Sequence, residues 1–240
     1  MTAERSVFPA TRPSVIVSIR HPDDRERRRA RDFIARAYWR SVYKYLRLKW
    51  GKQPADAEDL TQAFFAKVYE SDALVAYDRG RARFRTFVRL CVDRFVMKAD
   101  EADRAKKRGG DWTRLAVDFS EAERELASER ADVEAAFDHE WARSVIAMSI
   151  DELAAELERR RKAVYFEVFE RYDLAEAPRH ASYAEIALAM QISVNDVTNY
   201  LAAARREFRR ILLSTLRKLT ASDAEFRAEA KALIGIDPSA

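Results

Sequence analysis

Amide, hydroxyl and guanidinium side chains recur at helical spacing along one stretch of the chain, from residue 195 to residue 210. Asparagine can pair with adenine through two hydrogen bonds, threonine can contact the methyl group of thymine, and arginine suits phosphate. The pattern therefore favours a helix that faces duplex DNA. The residues predicted to contact the duplex are Asn195, Thr198, Asn199, Ala202, Arg205, Arg206, Arg209 and Arg210.

A short helix, a three-residue turn and a second helix are predicted to position this face. Ser182 with Glu185 fits the capping-box pattern, and Ser193 with Asp196 is a shorter relative of it. This arrangement is typical of a helix-turn-helix. An ordinary helical hairpin with a solvated basic face has the same pattern. Gln191 slightly weakens the helix-turn-helix interpretation, because glycine is the usual residue at this place in the turn. The apolar stripe predicted to bury the second helix consists of Val194, Val197, Leu201, Phe208 and Leu212.

Two stretches in the first half of the chain also carry candidate binding residues. From Phe84 to Phe95 aromatic and basic side chains interleave, which suits single-stranded nucleic acid because bases stack on rings while phosphates meet arginines. Each ring taken singly could equally be a core position. Asp56, Glu58 and Asp59 fall in the first turn of a predicted helix, where carboxylates favour the positive end of the helix dipole. On physical grounds alone this acidic turn is simply a good helix start.

The composition favours helices and disfavours catalysis. With 48% hydrophobic and 35% charged residues and only five glycines in 240, the chain reads as amphipathic helices with charged outer faces. The histidines His21, His139 and His180 lie far apart, Cys91 is the single cysteine, and no glycine-rich phosphate loop occurs. We therefore expect no enzyme, no metal site and no cofactor.

The chain shows no signal peptide and no apolar run long enough to span a bilayer. We expect a cytoplasmic protein with neither a membrane nor a small-molecule substrate among its partners.

The expected fold class is all-α, with two helical domains joined by a linker and a helix-turn-helix in the C-terminal one. The predicted divisions are an arm over 1–20, a first domain over 21–110, a linker over 111–136, a second domain over 137–219 and a tail over 220–240. Val15 to Ile19 is the sole strand candidate. The tail is expected either to be loosely ordered or to pack through Leu233, Ile234 and Ile236.

The order of these stretches resembles the sigma-70 family of bacterial RNA polymerase sigma factors, in the small extracytoplasmic-function (ECF) class. Asp56 to Phe65 looks like the helix that docks on the polymerase clamp, and Phe84 to Arg108 looks like the segment that melts and captures the minus-ten promoter element. Ser182 to Arg210 looks like the helix-turn-helix that binds the minus-thirty-five element. The arm from Phe8 to Ile16 resembles the opening of one subgroup, and the likeness extends to about Leu219.

This resemblance implies a transcription initiation factor that binds core RNA polymerase and directs it to promoters, with melting by the first domain and duplex recognition by the second. The partners implied are core RNA polymerase and promoter DNA, both duplex and single-stranded. The residues implied to bind polymerase are Asp56, Glu58, Asp59, Gln62 and Phe65. Those implied to bind the single-stranded minus-ten element are Arg83, Phe84, Arg85, Phe87, Arg94, Lys106, Lys107 and Arg108.

Some residues depart from the family pattern. Arg94 stands where many small sigma factors carry asparagine, Phe87 where many carry tryptophan, and Thr198-Asn199-Tyr200 replaces the commoner Lys-Ser-Arg. Two alternatives stay open: a helix-turn-helix transcriptional regulator that is not a sigma factor, and a sigma-like protein that has lost promoter melting. An anti-sigma factor, a regulatory kinase, or the arm and tail are all candidates for regulating the activity.

Overall fold

The structure is a computed structural model that describes residues 14–19, 21–70, 73–78, 82–105, 132–175 and 181–235. Within these ranges every regular element is helical, which confirms the all-α class for this part of the chain. The helices are α1 (Val15–Ser18), α2 (Asp24–Lys49), α3 (Pro54–Glu70), α4 (Phe84–Ala105), α5 (Val133–Arg159), α6 (Ala163–Asp173), α7 (Tyr183–Met190), α8 (Val194–Lys218) and α9 (Asp223–Ile234), with one 3-10 turn at Ala73–Ala76.

Local signals explain where the first long helices begin and end. The Asp23 carboxylate accepts a hydrogen bond from the Arg25 amide at 2.7 Å and so caps the start of α2. Gly51 follows α2 with φ +58°, a left-handed conformation that glycine adopts without steric cost. Pro54 is the first residue of α3, where its missing N–H costs nothing.

The single predicted strand is wrong, because Val15–Ser18 forms the short helix α1. Ile16 and Ile19 lie three residues apart and are both buried, so they share one face as helical spacing requires. The Ser14 hydroxyl accepts a hydrogen bond from the Ile16 amide at 3.3 Å. An apolar run this short does not distinguish a strand from a helical turn by its periodicity, and α1 packs against α2.

The chain divides into two compact units, the first comprising Met1–Ala142 together with Leu216–Ala240. Its described core centres on a ring cluster in which the Tyr38 centroid lies 5.8 Å from Phe84, 6.3 Å from Phe137 and 6.3 Å from Trp141. All four rings are almost fully buried. Such rings contribute much of the apolar burial that holds helices together.

A buried ion pair lies in the same unit. Lys44 Nζ donates to Glu140 Oε1 at 2.7 Å with both side chains inaccessible to solvent, and Arg40 Nε donates to the other carboxylate oxygen at 3.2 Å. A buried pair of this kind fixes which residues of α2 and α5 face each other, although it adds little net stability.

The second unit is Arg143–Thr215 and consists of the larger part of α5, then α6, α7 and most of α8. Its core is a single apolar cluster drawn from all four helices, with Leu153, Val168, Ile186, Val197 and Leu201 among its most buried members. The periodic apolar positions of these helices therefore converge as the sequence pattern predicts.

The predicted domain limits and the two compact units divide the chain at different points. Helix α5 begins at Val133, within the predicted linker, and the segment 106–131 lies outside the described residues. Most of the predicted tail is not loose, since Asp223–Ile234 forms α9 in the first unit. Ser222 caps its start, and Gly235 ends it with φ +67°. Phe226 and Ala230 are the buried apolar anchors, whereas Leu233 and Ile234 are half-buried and Ile236 is not described.

Candidate nucleic-acid interface

Serine caps fix the starts of both α7 and α8. The Glu185 amide donates to Ser182 Oγ at 3.2 Å while the Ser182 amide donates to Glu185 Oε2 at 2.7 Å. Asp196 and Ser193 exchange the equivalent bonds at 3.0 and 3.1 Å, so the shorter carboxylate closes a full capping box as well. The hydrogen bonds from the two serines hold the pKa of Glu185 and the pKa of Asp196 below their usual values.

Gln191 makes the turn between these helices in the left-handed conformation, with φ 55° and ψ 41°. The Ile192 amide donates to the Ala187 carbonyl at 3.1 Å, which satisfies an acceptor at the end of α7. A non-glycine residue in this conformation costs about 1 kcal/mol. The chain thus makes the turn despite lacking the usual glycine.

All eight residues predicted to contact duplex DNA are exposed on α8. The opposite side of the helix holds Val197, Leu201 and Ala204, each almost fully buried. Val194 is a correction to the predicted stripe, because it is 49% exposed at the first position of the helix, where no preceding turn covers it. One face of α8 is therefore available to a ligand along more than four turns.

The four arginines of that face differ in how firmly the protein already holds them. Arg205 donates to both oxygens of Asp173 at 2.6 and 2.8 Å, and its guanidinium lies 5.5 Å from the Tyr172 ring centroid. Arg210 donates to Glu207 Oε1 at 2.7 Å. Arg206 and Arg209 form no ion pair or hydrogen bond with any other described residue. These two arginines can meet phosphates without first breaking an internal pair.

Helix α3 exposes most of the residues implied to bind polymerase. Asp56 and Asp59 are exposed, and Glu58 and Gln62 are half-exposed. Phe65 is a correction, because it is only 1% exposed and its ring packs 5.1 Å from that of Phe64. A residue this deeply buried holds α3 in the core and is not accessible to a partner in this conformation.

The residues implied to bind single-stranded DNA fall into three groups. Arg83 and Arg94 are exposed, and Phe87 is half-buried with its ring 5.2 Å from that of Tyr77. Phe84 is a correction, because it is fully buried in the ring cluster. The lysines and arginine at 106–108 lie outside the described residues.

Arg85, from the same predicted set, is largely buried and already paired. Its Nη2 lies 2.9 Å from Glu229 Oε1 and 3.5 Å from Asp138 Oδ2, and its guanidinium stacks 4.5 Å from the Trp141 ring centroid. Glu229 was not predicted as a partner of Arg85, because α9 is more than a hundred residues away along the chain. Arg85 is therefore not free to bind a ligand in this conformation.

Two exposed apolar residues on α4 were not predicted as binding residues. Leu90 is 47% and Met97 is 56% exposed, and with Phe87 and Arg94 they follow the spacing of one helix face. Their spacing in the sequence is the signal that could have indicated this face. This face is named the α4 stripe below: Arg83, Phe87, Leu90, Arg94 and Met97.

Asp93, next to the α4 stripe, is held by three donors from the end of α2. Lys49 Nζ lies 2.8 Å from Asp93 Oδ2, while the Tyr45 hydroxyl and Trp50 Nε1 each donate at 3.1 Å. This cluster fixes the orientation of α4 on α2, and so it positions the stripe.

Among the described residues, no group of three or more histidine, cysteine, aspartate or glutamate side chains could hold a metal ion. No helix in the described ranges has the length and apolar character needed to cross a membrane. Comparisons of the chain with known protein families, with curated proteins and with solved structures found no match.

Proposed function

We propose that the chain is a bacterial transcription initiation factor of the sigma-70 type, ECF class. In this role it binds core RNA polymerase and directs it to specific promoters. The observation that carries the proposal is the exposed polar and basic face of α8, which follows a capped three-residue turn. Polymerase, and not this chain, supplies the catalysis.

The second unit supplies the duplex-binding end in this proposal. Asn195, Thr198 and Asn199 are exposed in the first turns of α8, where a recognition helix presents side chains to base edges. The Thr198 hydroxyl donates to the Val194 carbonyl at 3.0 Å, which leaves its methyl group as the part that would contact a thymine methyl. Arg206 and Arg209 follow on the same face and reach phosphates. Base readout and phosphate contact are thus separated along one helix.

The first unit supplies the strand-capturing end through the α4 stripe. Its arginines would contact phosphates, and Phe87 with the exposed Leu90 and Met97 would contact unstacked bases. The cluster around Asp93 supports this role because it holds the stripe in one orientation before DNA arrives.

The exposed end of α3 supplies the polymerase contact. Asp59 and Gln62 lie one turn apart and are accessible, and Asp56 precedes them. Polymerase binding would therefore rest on polar contacts, without the predicted Phe65.

The test is binding to purified bacterial core polymerase, followed by transcription from promoters selected out of a genomic library. We expect the protein to copurify with core polymerase and to start transcripts at discrete sites. The double change Asp59→Ala and Gln62→Ala should weaken core binding and leave duplex binding intact. Glu70→Ala, an exposed carboxylate at the opposite end of α3, is the matched control. Failure of the unchanged protein to bind core polymerase at low salt would refute the proposal.

A helix-turn-helix regulator that is not a sigma factor is the second candidate. The burial of Phe84 and the pairing of Arg85 favour it, because they remove two of the residues implied to capture a strand. Such a regulator would bind a duplex site with the same affinity whether or not core polymerase is present. A sigma factor would show promoter-specific binding that depends on polymerase.

A further inference from the structure

Helix α9 covers the N-terminal end of α4. Glu225 Oε1 accepts a hydrogen bond from the Phe84 amide at 2.9 Å, and Glu229 Oε1 lies 2.9 Å from Arg85 Nη2 and 3.6 Å from Arg83 Nη1. The donors at this end of α4 are thus a backbone amide and two guanidinium groups. Both acceptors come from a helix that joins the first unit only after the whole second unit.

Several contacts hold α9 in this place. Phe226 and Ala230 are buried, and the Arg217 guanidinium lies 4.9 Å from the Phe226 ring centroid. The second oxygen of Glu225 accepts a hydrogen bond from the Ala221 amide at 2.8 Å, which ties the entry of the helix to the same carboxylate. Phe226 and Ala230 are the only apolar side chains of α9 that are buried, so we expect docking of this short helix to be modest in strength and reversible.

The pairing of Glu229 with Arg85 is costly and incomplete. Burial raises the pKa of Glu229 even though Arg85 and Arg83 lower it, and Glu225 and Asp138 raise it further. A neutral residue of the same shape would therefore avoid a desolvation cost. Arg85 Nε is buried and donates no hydrogen bond to any described residue, so the carboxylate leaves part of the guanidinium fork unused. A phosphate, with more acceptor oxygens, can satisfy such a fork from two sides.

We propose that α9 is an intramolecular mask, whose Glu225 and Glu229 occupy donors that bind a backbone phosphate of single-stranded nucleic acid once α9 is displaced. The masked donors are the guanidinium groups of Arg83 and Arg85 and the Phe84 amide. This inference rests on the proposed function, because the mask regulates strand binding by the same helix, α4. When α9 leaves, Arg83 of the α4 stripe, the Phe84 amide and the Arg85 guanidinium on the other side of α4 all lose their carboxylate partners at the N-terminal end of the helix.

The test displaces α9 without altering the donors. Ala230 is fully buried on the docking face of α9, while Ala232 is exposed on the same helix. Ala230→Glu should push α9 off, whereas Ala232→Glu adds the same negative charge without a clash. Affinity for a fluorescein-labelled oligothymidine of about twenty nucleotides is measured by anisotropy at fixed salt. We expect the Ala230→Glu variant to bind the oligothymidine about tenfold more tightly than the Ala232→Glu variant does. In the Ala230→Glu variant the carboxylates of docked α9 no longer compete with the phosphate for the donors.

Hydrogen exchange of the unchanged protein gives a second measurement that needs no variant. On addition of the oligothymidine, amides of residues 223–234 should exchange faster as α9 is displaced. Exchange that is unchanged or slower there would overturn the mask, even if Ala230→Glu fails to fold. Equal affinity of the two alanine variants, with both folded by circular dichroism, would overturn it as well.

Core-polymerase binding separates this inference from the proposed function. If the unchanged protein binds core polymerase and starts transcription while α9 stays protected, only the mask is refuted. If α9 exchanges faster with the oligothymidine but no core binding occurs, the mask stands on a protein that is not a sigma factor.

Discussion

Arg206 and Arg209 should contribute most of the salt-dependent affinity of α8 for duplex DNA. Both are exposed on the predicted duplex face, and neither is paired within the part of the chain that the structure describes. Arg210, by contrast, must first give up its bond to Glu207. Replacing Arg206 and Arg209 by alanine, singly and together, therefore tests whether free arginines define the phosphate-contacting end of the helix.

The size of the effect follows from counterion release. Each phosphate contact adds about 0.9 to the slope of log affinity against log salt concentration. For a fourfold rise in salt, from about 50 to about 200 mM, one contact thus changes the affinity about 3.5-fold. Each single variant should lower the slope by about 0.9 and the double variant by about 1.8, since the two residues occupy separate positions on the helix.

The assay is fluorescence anisotropy of a mixed-sequence duplex with the full chain over a series of salt concentrations. The control is Arg171→Ala on α6, which removes an exposed arginine already paired with Glu167 at 2.7 Å. The control should leave the slope unchanged. If Arg206→Ala, Arg209→Ala and the control all give the slope of the unchanged protein, α8 does not contact phosphates through these arginines.

Three further outcomes are expected. Glu140→Leu should lower the free energy of unfolding by about 3–5 kcal/mol, because it removes the carboxylate beside the buried ammonium of Lys44. Adding Lys44→Met should recover most of that loss in urea titrations, and no recovery would contradict the buried-pair argument. Because burial raises the pKa of Glu229, the folded state binds its proton more tightly than the unfolded chain does. The contribution of Glu229 to the free energy of unfolding should therefore fall as pH rises above about 4, so the difference in this free energy between the unchanged protein and Glu229→Gln should change with pH in that direction. Gln191→Gly should stabilise the second unit by about 0.5–1 kcal/mol in the same assay, and a loss of stability would show that the turn is not strained.

Helix positions were predictable from the sequence because their signals are local. Serine caps at Ser182 and Ser193 and the glycine at Gly51 act within a few residues of where they stand. The buried face of α8 was predictable for the same reason, except for Val194, which is exposed at the start of the helix. The exceptions among the elements were α1, whose apolar run is too short to carry a period, and α9, which lies in the predicted tail.

The burial of individual site residues was less predictable. Phe65 and Phe84 belong to helices with aromatic residues on more than one face, and spacing alone does not say which face meets the core. The partners of Arg85 come from α5 and α9, so no local pattern could indicate them. Long-range ion pairs depend on how helices pack, and packing is decided by the whole core.

The return of α9 to the first unit has a consequence for synthesis on the ribosome. The bonds from Phe84 to Glu225 and from Arg85 to Glu229 span 141 and 144 residues of chain. The N-terminal end of α4 therefore leaves the ribosome uncovered, and it stays so until translation has passed Glu229. The second unit can already fold during this time. A nascent chain would expose its basic helix end to cellular polyanions throughout that interval. Slow codons between α4 and α9 would lengthen the exposure without changing a single amino acid.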